Sequence, residues 1–147
     1  MTTLSDTLKA ADRKVLVDDV VRIIESEVRS KGGVTGLALK GGYKVVRRLK
    51  GGRMIHLAAD NLLDDFALAL DPVFEEFQAD GQGRFSDFLR RNDRRSADAL
   101  LSITDGRARR AENPVIKKTY AKLRGQAQKH VIAALPAVGR LIEKYAG

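Results

Sequence analysis

The stretch DRKVLVDDVVRIIESEVRS, residues 12–30, decides the fold class. Val17, Val20, Val21, Ile24 and Val28 recur at helical spacing along one side, and Asp18, Arg22, Glu25 and Arg29 follow the other. That is the pattern of a helix half-buried in a core, and no segment of the chain alternates apolar and polar residues over the length of a strand. In the pairs Asp18 with Arg22 and Glu25 with Arg29 the acid stands four residues before the base, the order that supports an exposed helical face. Lys31, Gly32 and Gly33 end the segment.

Outward from this helix the same period returns. A second helix is expected from Val34 to Leu49, and a third from about Met54 to Leu70, with Ile55, Ala59, Leu62, Phe66 and Leu70 facing inward. Asp71 before Pro72 is a capping residue followed by proline at the first helical position, so a separate short helix is expected to start there and carry Phe74 and Phe77 inward. Residues 79–83 read as a loop. Phe85 and Phe88 open another short helix, and Ala97, Leu100, Leu101 and Thr104 mark the next. Asn113 and Pro114 repeat the cap-and-proline signal and begin a last long helix. Its inner stripe is Ile116, Tyr120, Leu123, Ala127, Val131 and Leu135, and Pro136 predicts a kink or restart. All five Phe fall between positions 66 and 88 and predict one aromatic cluster in the core. The expectation is an all-α, compact single-domain bundle of about six to eight helices over residues 1–147, with no sheet; 147 residues suffice for one proper core and hardly for two.

Charge is distributed unevenly along the chain. There are 27 Lys and Arg against 19 Asp and Glu, a formal net charge of +8. Residues 1–30 carry −1, residues 31–53 carry +7 with no acid, residues 54–83 carry −7 with no Lys or Arg, and residues 84–147 carry +9. A basic block followed by an acidic block of equal size suggests that the second and third helices pair as a hairpin with opposed charges. Lys40, Lys44 and Arg47 form a stripe at helical spacing. Arg90, Arg91, Arg94 and Arg95 make a second cluster, Arg109 and Arg110 fall with Arg107 in a third, and Lys117, Lys118 and Lys122 line the last helix. Such patches attract polyanions through their field without naming them. Tyr43 and Tyr120 alone interleave the basic tracts, too few aromatics for stacking along a single strand.

Known catalytic and binding motifs fail one by one. The segment from Gly36 to Lys44 has the glycines of a phosphate loop, but Gly42 and Tyr43 stand where Lys and Ser or Thr are required. A packing role suits it better: Gly36, Ala38, Gly41 and Gly42 leave a low surface for a neighbouring helix. His56, Asp60 and Asp64 share a helical face, yet one row converges too few ligands for a hard cation. With no Cys, and no Ser or Thr in an elbow motif, nucleophilic hydrolysis has no constellation. Neither a cofactor nor a catalytic residue is implied. The start MTTLSDTLKAADRKVLVDD lacks a signal-peptide pattern, and no apolar run approaches the ~20 residues of a transmembrane helix. A soluble cytoplasmic protein is expected, and the short helices with small-residue faces leave homo-oligomerisation open.

Three segments carry a likeness: GGVTGLALKGGYKVVRRLK at 32–50, DDFALALDPVFEEF at 64–77 and ALLSITDGRARRAENPVIKKTYAKLRGQAQKHVIAALP at 99–136. With them the chain resembles, over nearly its whole length, an uncharacterised bacterial family of short all-helical proteins. The resemblance implies a stand-alone helical domain and brings no activity with it. The leading functional expectation is a non-catalytic binding protein whose basic surface engages an acidic partner, nucleic acid or acidic protein. Two alternatives stand beside it, a peripheral binder of anionic membrane and a small-ligand protein or enzyme with a pocket between helices near His56, Asp60 and the phenylalanines.

Overall fold

A computed structural model describes residues 2–146, and among them eight helices follow one another without a strand. They are α1 (Leu4–Lys9), α2 (Arg13–Ser30), α3 (Gly33–Arg47), α4 (Leu49–Gly52), α5 (Met54–Asp80), α6 (Phe85–Arg91), α7 (Asp93–Arg110) and α8 (Pro114–Ala146). Side chains cap the starts of α2 and α8, Asn113 as its place before Pro114 predicts and Asp12 in addition. Asp12 accepts a hydrogen bond from the Val15 amide at 3.2 Å, and Asn113 accepts one from the Val115 amide at 2.9 Å. Gly81, left-handed at φ 66°, closes α5, a conformation that glycine adopts at no steric cost.

Two expectations of helix boundaries need correction. No new helix starts at Pro72, because α5 runs unbroken from Met54 to Asp80. Pro72 and Leu68 both face solvent, Leu68 at 59% exposure, so the hydrogen bond that proline cannot donate is lost on the wet side, where water serves the carbonyl. The Asp71 carboxylate does act as a cap, though for a different helix. It accepts from the Ser5 amide at 3.0 Å and the Ser5 hydroxyl at 2.8 Å, and so closes the N-terminus of α1, an element that the period-based reading passes over. Pro136 likewise lies inside α8, which continues through it without a restart.

The core is built on α5. Leu63, Ala67, Leu70, Val73 and Phe74 meet Leu4 and Leu8 of α1, Leu16 of α2, Phe85 and Leu89 of α6, and Leu135 and Ile142 of α8. Leu4, Leu16 and Leu89 are completely buried, and each such side chain contributes about 1.5–3 kcal/mol relative to exposure. The buried stripe of α5 is turned from the expected one: Leu63 and Ala67 are inside, while Leu62 and Phe66 are half-buried. Phe74, Phe77, Phe85 and Phe88 form the aromatic cluster, with Phe74 and Phe85 edge-to-face at 5.1 Å. Phe66 stands apart from it and lines a cavity.

Glycine sets two helix contacts. A Cβ on Gly42 would lie 3.0 Å from Thr119 Cγ2 and 3.1 Å from Leu123 Cδ1, which is how closely α3 approaches α8. On Gly139 it would lie 2.4 Å from Ser86 Cα, a near-contact of α8 with the α6 backbone. Of the small residues expected to make a low surface on α3, Gly42 is the one that receives a neighbouring helix, and Gly41 has open space around it.

Candidate functional site

The charge blocks do not pair with each other. Four of the seven acids of α5 are taken by arginines from elsewhere in the chain. Arg13, at the start of α2, donates to Asp60 at 2.7 Å and Asp64 at 3.0 Å. Arg107 of α7 meets Asp65 at 2.7 Å, and Arg95 of α7 meets Glu76. The row of His56, Asp60 and Asp64 is therefore mainly the seat of Arg13, whose protonated form is favoured first by the Asp60 bond and then by the Asp64 bond. His56 turns instead toward Asp18, at 3.9 Å. The pairings expected along α2 are replaced too, since Arg22 binds Asp19 at 3.2 Å.

The consequence falls on α3. Of the seven cations in residues 31–53, Lys31 meets Glu27 at 3.1 Å, and Lys40, Lys44, Arg47, Arg48, Lys50 and Arg53 are exposed without an ion pair among the described residues. Their neighbours on the outside of α3 are apolar: Leu37 is 71% exposed and Val45 46%. Val46 and Leu49 are half-buried. Between α2 and α3 runs a groove of about 400 Å³ lined by Arg29, Lys40, Lys44 and Arg47 with Glu25 and Tyr43. Burial, then the nearby Glu25, raises the Tyr43 phenol above its ordinary value of 10.0, so it stays neutral beside these cations.

The structure divides the other basic residues. Arg90 reaches Asp87 at 3.6 Å, Arg91 stacks over the Phe88 ring at 5.7 Å, and Arg95 is held by Glu76. Arg94 is exposed, as are Arg109 and Arg110 at the far end of α7. Fifteen helical residues separate Arg95 from Arg110, roughly 22 Å of axis, so these clusters do not converge. Lys117, Lys118 and Lys122 are exposed on the first half of α8, where they flank Thr119 and Leu123, the residues that receive Gly42 of α3. That half of α8 is less buried than its stripe implies: Ile116, Tyr120, Leu123, Ala127 and Val131 are all half-buried, and the buried residues of the helix are Leu135, Gly139 and Ile142.

Two polar knots, one buried at Asp19 and one half-buried at Asp105, fix this frame, and neither stands out in the sequence. Asp19, 8% exposed on the side of α2 toward α8, accepts from the Tyr145 hydroxyl at 2.6 Å and from Lys144 Nζ at 3.0 Å. The Tyr145 bond, then the Lys144 bond, holds the Asp19 carboxyl below its ordinary range, and burial followed by the bond to Asp19 pushes Tyr145 up to about 12. Asp105 accepts from Arg124 Nε at 2.8 Å and from Tyr120 at 2.5 Å, and its pKa is lowered by the Arg124 bond first. Together they tie α8 to α2 at one end and to α7 at the other.

Fold and surface define an all-helical protein in which α3, like the first half of α8, carries exposed cations without an ion pair among the described residues. The chain belongs to DUF6918, a family of unknown function that it matches over residues 4–146. No curated protein and no solved structure matches it. Among the described residues no helix is long and apolar enough to cross a membrane.

Proposed function

We propose that this is a non-catalytic protein that binds peripherally to anionic membrane surfaces through α3. The observation that supports the reading is the coincidence, on the outside of one helix, of uncompensated Lys40, Lys44 and Arg47 with exposed Leu37 and Val45. A bilayer uses both, cations at the headgroups and apolar side chains at the acyl boundary. Nucleic acid has no use for the leucine and valine; of the first choice from sequence, Arg90, Arg91 and Arg95 have partners within the chain, and Arg94, Arg109, Arg110, Lys117, Lys118 and Lys122 are spread along α7 and α8. The groove holding Arg29, Lys40, Lys44 and Arg47 has room for a phosphate headgroup.

The magnitudes suit reversible binding. Each cation near a negatively charged leaflet contributes about 1 kcal/mol, so Lys40, Lys44, Arg47 and Arg48 supply about 4 kcal/mol together. Partial burial of Leu37 and Val45 adds about 2–3 kcal/mol. A sum of about 6–7 kcal/mol corresponds to an apparent Kd of tens of micromolar in lipid, lost as salt rises. Pelleting with vesicles of phosphatidylcholine containing phosphatidylglycerol tests this. Binding should require the anionic lipid and fall for Lys40→Glu with Lys44→Glu. Equal binding to neutral vesicles, or no binding near 50 mM salt together with a retarded band on duplex DNA, would refute it and favour a nucleic-acid partner.

A further inference from the structure

A second feature lies inside the molecule, away from the α3 surface. A cavity of about 360 Å³ opens between the helices, walled by side chains of α1, α2, α3, α5, α7 and α8. It lies within the range of small-ligand sites; the sequence reading puts a pocket near His56, Asp60 and the phenylalanines, and of these Phe66 alone lines the cavity. Its surface is almost wholly apolar. One part is walled by Leu4, Leu16, Leu63 and Leu70, each at most 4% exposed. Its polar lining comes from Glu27, Lys31, Thr104 and His130, and the Thr104 hydroxyl is already engaged with the Leu101 carbonyl and Tyr120. Lys31 spends one of its three donors on Glu27. His130 Nε2 is buried and has no hydrogen-bond partner among the described residues.

We infer that this cavity binds a single-chain fatty carboxylate, with the hydrocarbon tail among the leucines and the carboxylate between Lys31 Nζ and His130 Nε2. A hydrocarbon chain suits a wall that offers it almost no polar atom, and the orphaned imidazole nitrogen needs a partner, since a buried polar group without one is costly. Burial first, then the positive charges of Lys31 and Lys129, lowers the His130 pKa and favours the neutral ring, which donates from Nε2 in the tautomer that a carboxylate selects, and the two lysines outnumber Glu27, the one acid of the lining. The inference goes beyond the membrane reading and does not depend on it.

Calorimetric titration of the full chain with octanoate, decanoate and dodecanoate tests it, with dodecanol and dodecylammonium as head-group controls. Affinity should rise by about fourfold for each methylene buried, and dodecanoate should exceed both controls by about tenfold. Lys31→Met and His130→Phe should abolish the advantage of the carboxylate over the alcohol, leaving the alcohol's affinity within about twofold. Ala134→Phe, which fills the cavity, should abolish binding of all chains. Ala134→Leu provides the same test at smaller volume should the phenylalanine variant misfold, folding being checked by circular dichroism. No saturable dodecanoate binding up to about 1 mM, or binding that survives both Ala134 changes, overturns the inference. Vesicle pelleting without fatty acid reports on the α3 surface separately, so failure of one reading is distinguishable from failure of the other.

Discussion

Replacing Asp71 by alanine should unfasten α1 while leaving α5 intact. The carboxylate accepts two hydrogen bonds from Ser5, one from its amide and one from its hydroxyl, across 66 positions of sequence. It also places a negative charge at the N-terminus of α1, where the helix dipole favours it. Removing it strands two donors of a residue only 7% exposed, about 1–3 kcal/mol each before any water enters. Some relaxation is available at a helix end, and a loss of a lost cap's order plus one further bond gives about 2–3 kcal/mol. Against this stands the docking energy of α1, which comes from burying Leu4 and Leu8 at about 1.5–3 kcal/mol each. Ordering the backbone of the six residues of α1 opposes docking by about 1–2 kcal/mol apiece. The balance is close, so the cap decides whether α1 stays docked.

Hydrogen exchange followed by mass spectrometry or NMR reads this directly. Protection of the Thr7 and Leu8 amides should drop by about 30–100-fold in Asp71→Ala, the equivalent of about 2–3 kcal/mol. Asp71→Asn, which keeps one acceptor oxygen, should lose about half as much. In a double-mutant cycle with Ser5→Ala the two changes should couple by about 1–2 kcal/mol. A total cost below about 0.5 kcal/mol in urea unfolding would refute the reasoning. So would loss of protection at Phe74 to Phe77 in place of α1, which is the outcome if Asp71 caps a helix beginning at Pro72.

Acid unfolding should pass through Asp19. Its folded pKa is depressed, so the stability it supplies is complete above the free value of 3.8 and drains away as the pH falls through 3.8 and then through the lower folded value. Asp19→Asn should flatten stability against pH below about pH 4 and cost about 2 kcal/mol at neutral pH, as measured by urea midpoints at several pH values. Tyr145→Phe should release the Asp19 carboxyl toward 3.8 in an NMR titration, because the Tyr145 bond is the main cause of the depression. The two glycines of α8 should part company in thermal melts. Gly139→Ala meets Ser86 Cα at 2.4 Å and should destabilise, whereas Gly125→Ala meets nothing within 4 Å and should stabilise by up to about 1 kcal/mol.

Much of the fold is legible residue by residue because the deciding interactions are local. Asp12, Asn113 and Gly81 act on amides or carbonyls within a few positions of themselves, and sequence neighbours suffice to anticipate them. Helix α1 escapes notice because six residues hold less than two turns, too few to display a period, although Thr3 does cap it by accepting from the Asp6 amide at 3.0 Å. The signal at Asp71 is genuine and its address is hidden, since the same carboxylate can close any helix end the fold brings to it. Asp19 reads as one more acid beside Asp18, and only the arrival of Tyr145 from the other end of the chain makes it a buried anchor. The stripe Lys40, Lys44 and Arg47 is legible as a pattern, but whether it is neutralised depends on where the acids of α5 turn. The cavity leaves no trace in the sequence at all, because it is the space that six helices fail to fill.

The expected hairpin of basic and acidic blocks fails for an instructive reason. Charge has magnitude without address, and α5 is long enough to offer its acids to several elements. Arg13, Arg95 and Arg107 carry guanidinium groups that engage carboxylates with directed donors, and each lies on a helix packed against α5. Helix α3 presents mainly lysines there, and its seat is set by shape, through Gly42 against Thr119 and Leu123, with no ion pair from its exposed cations among the described residues. The chain turns sharply at both of its ends, where Gly33, Lys50, Gly51 and Gly52 all have positive φ. Compensating its cations would hold it more firmly and would extinguish its field. With arginines elsewhere taking acids of α5, α3 keeps exposed charge beside exposed apolar side chains, and through Leu39 the same helix forms part of the cavity wall. The proposed membrane surface and the apolar cavity thus share one helix, and a displacement of α3 on binding would be felt at the cavity wall.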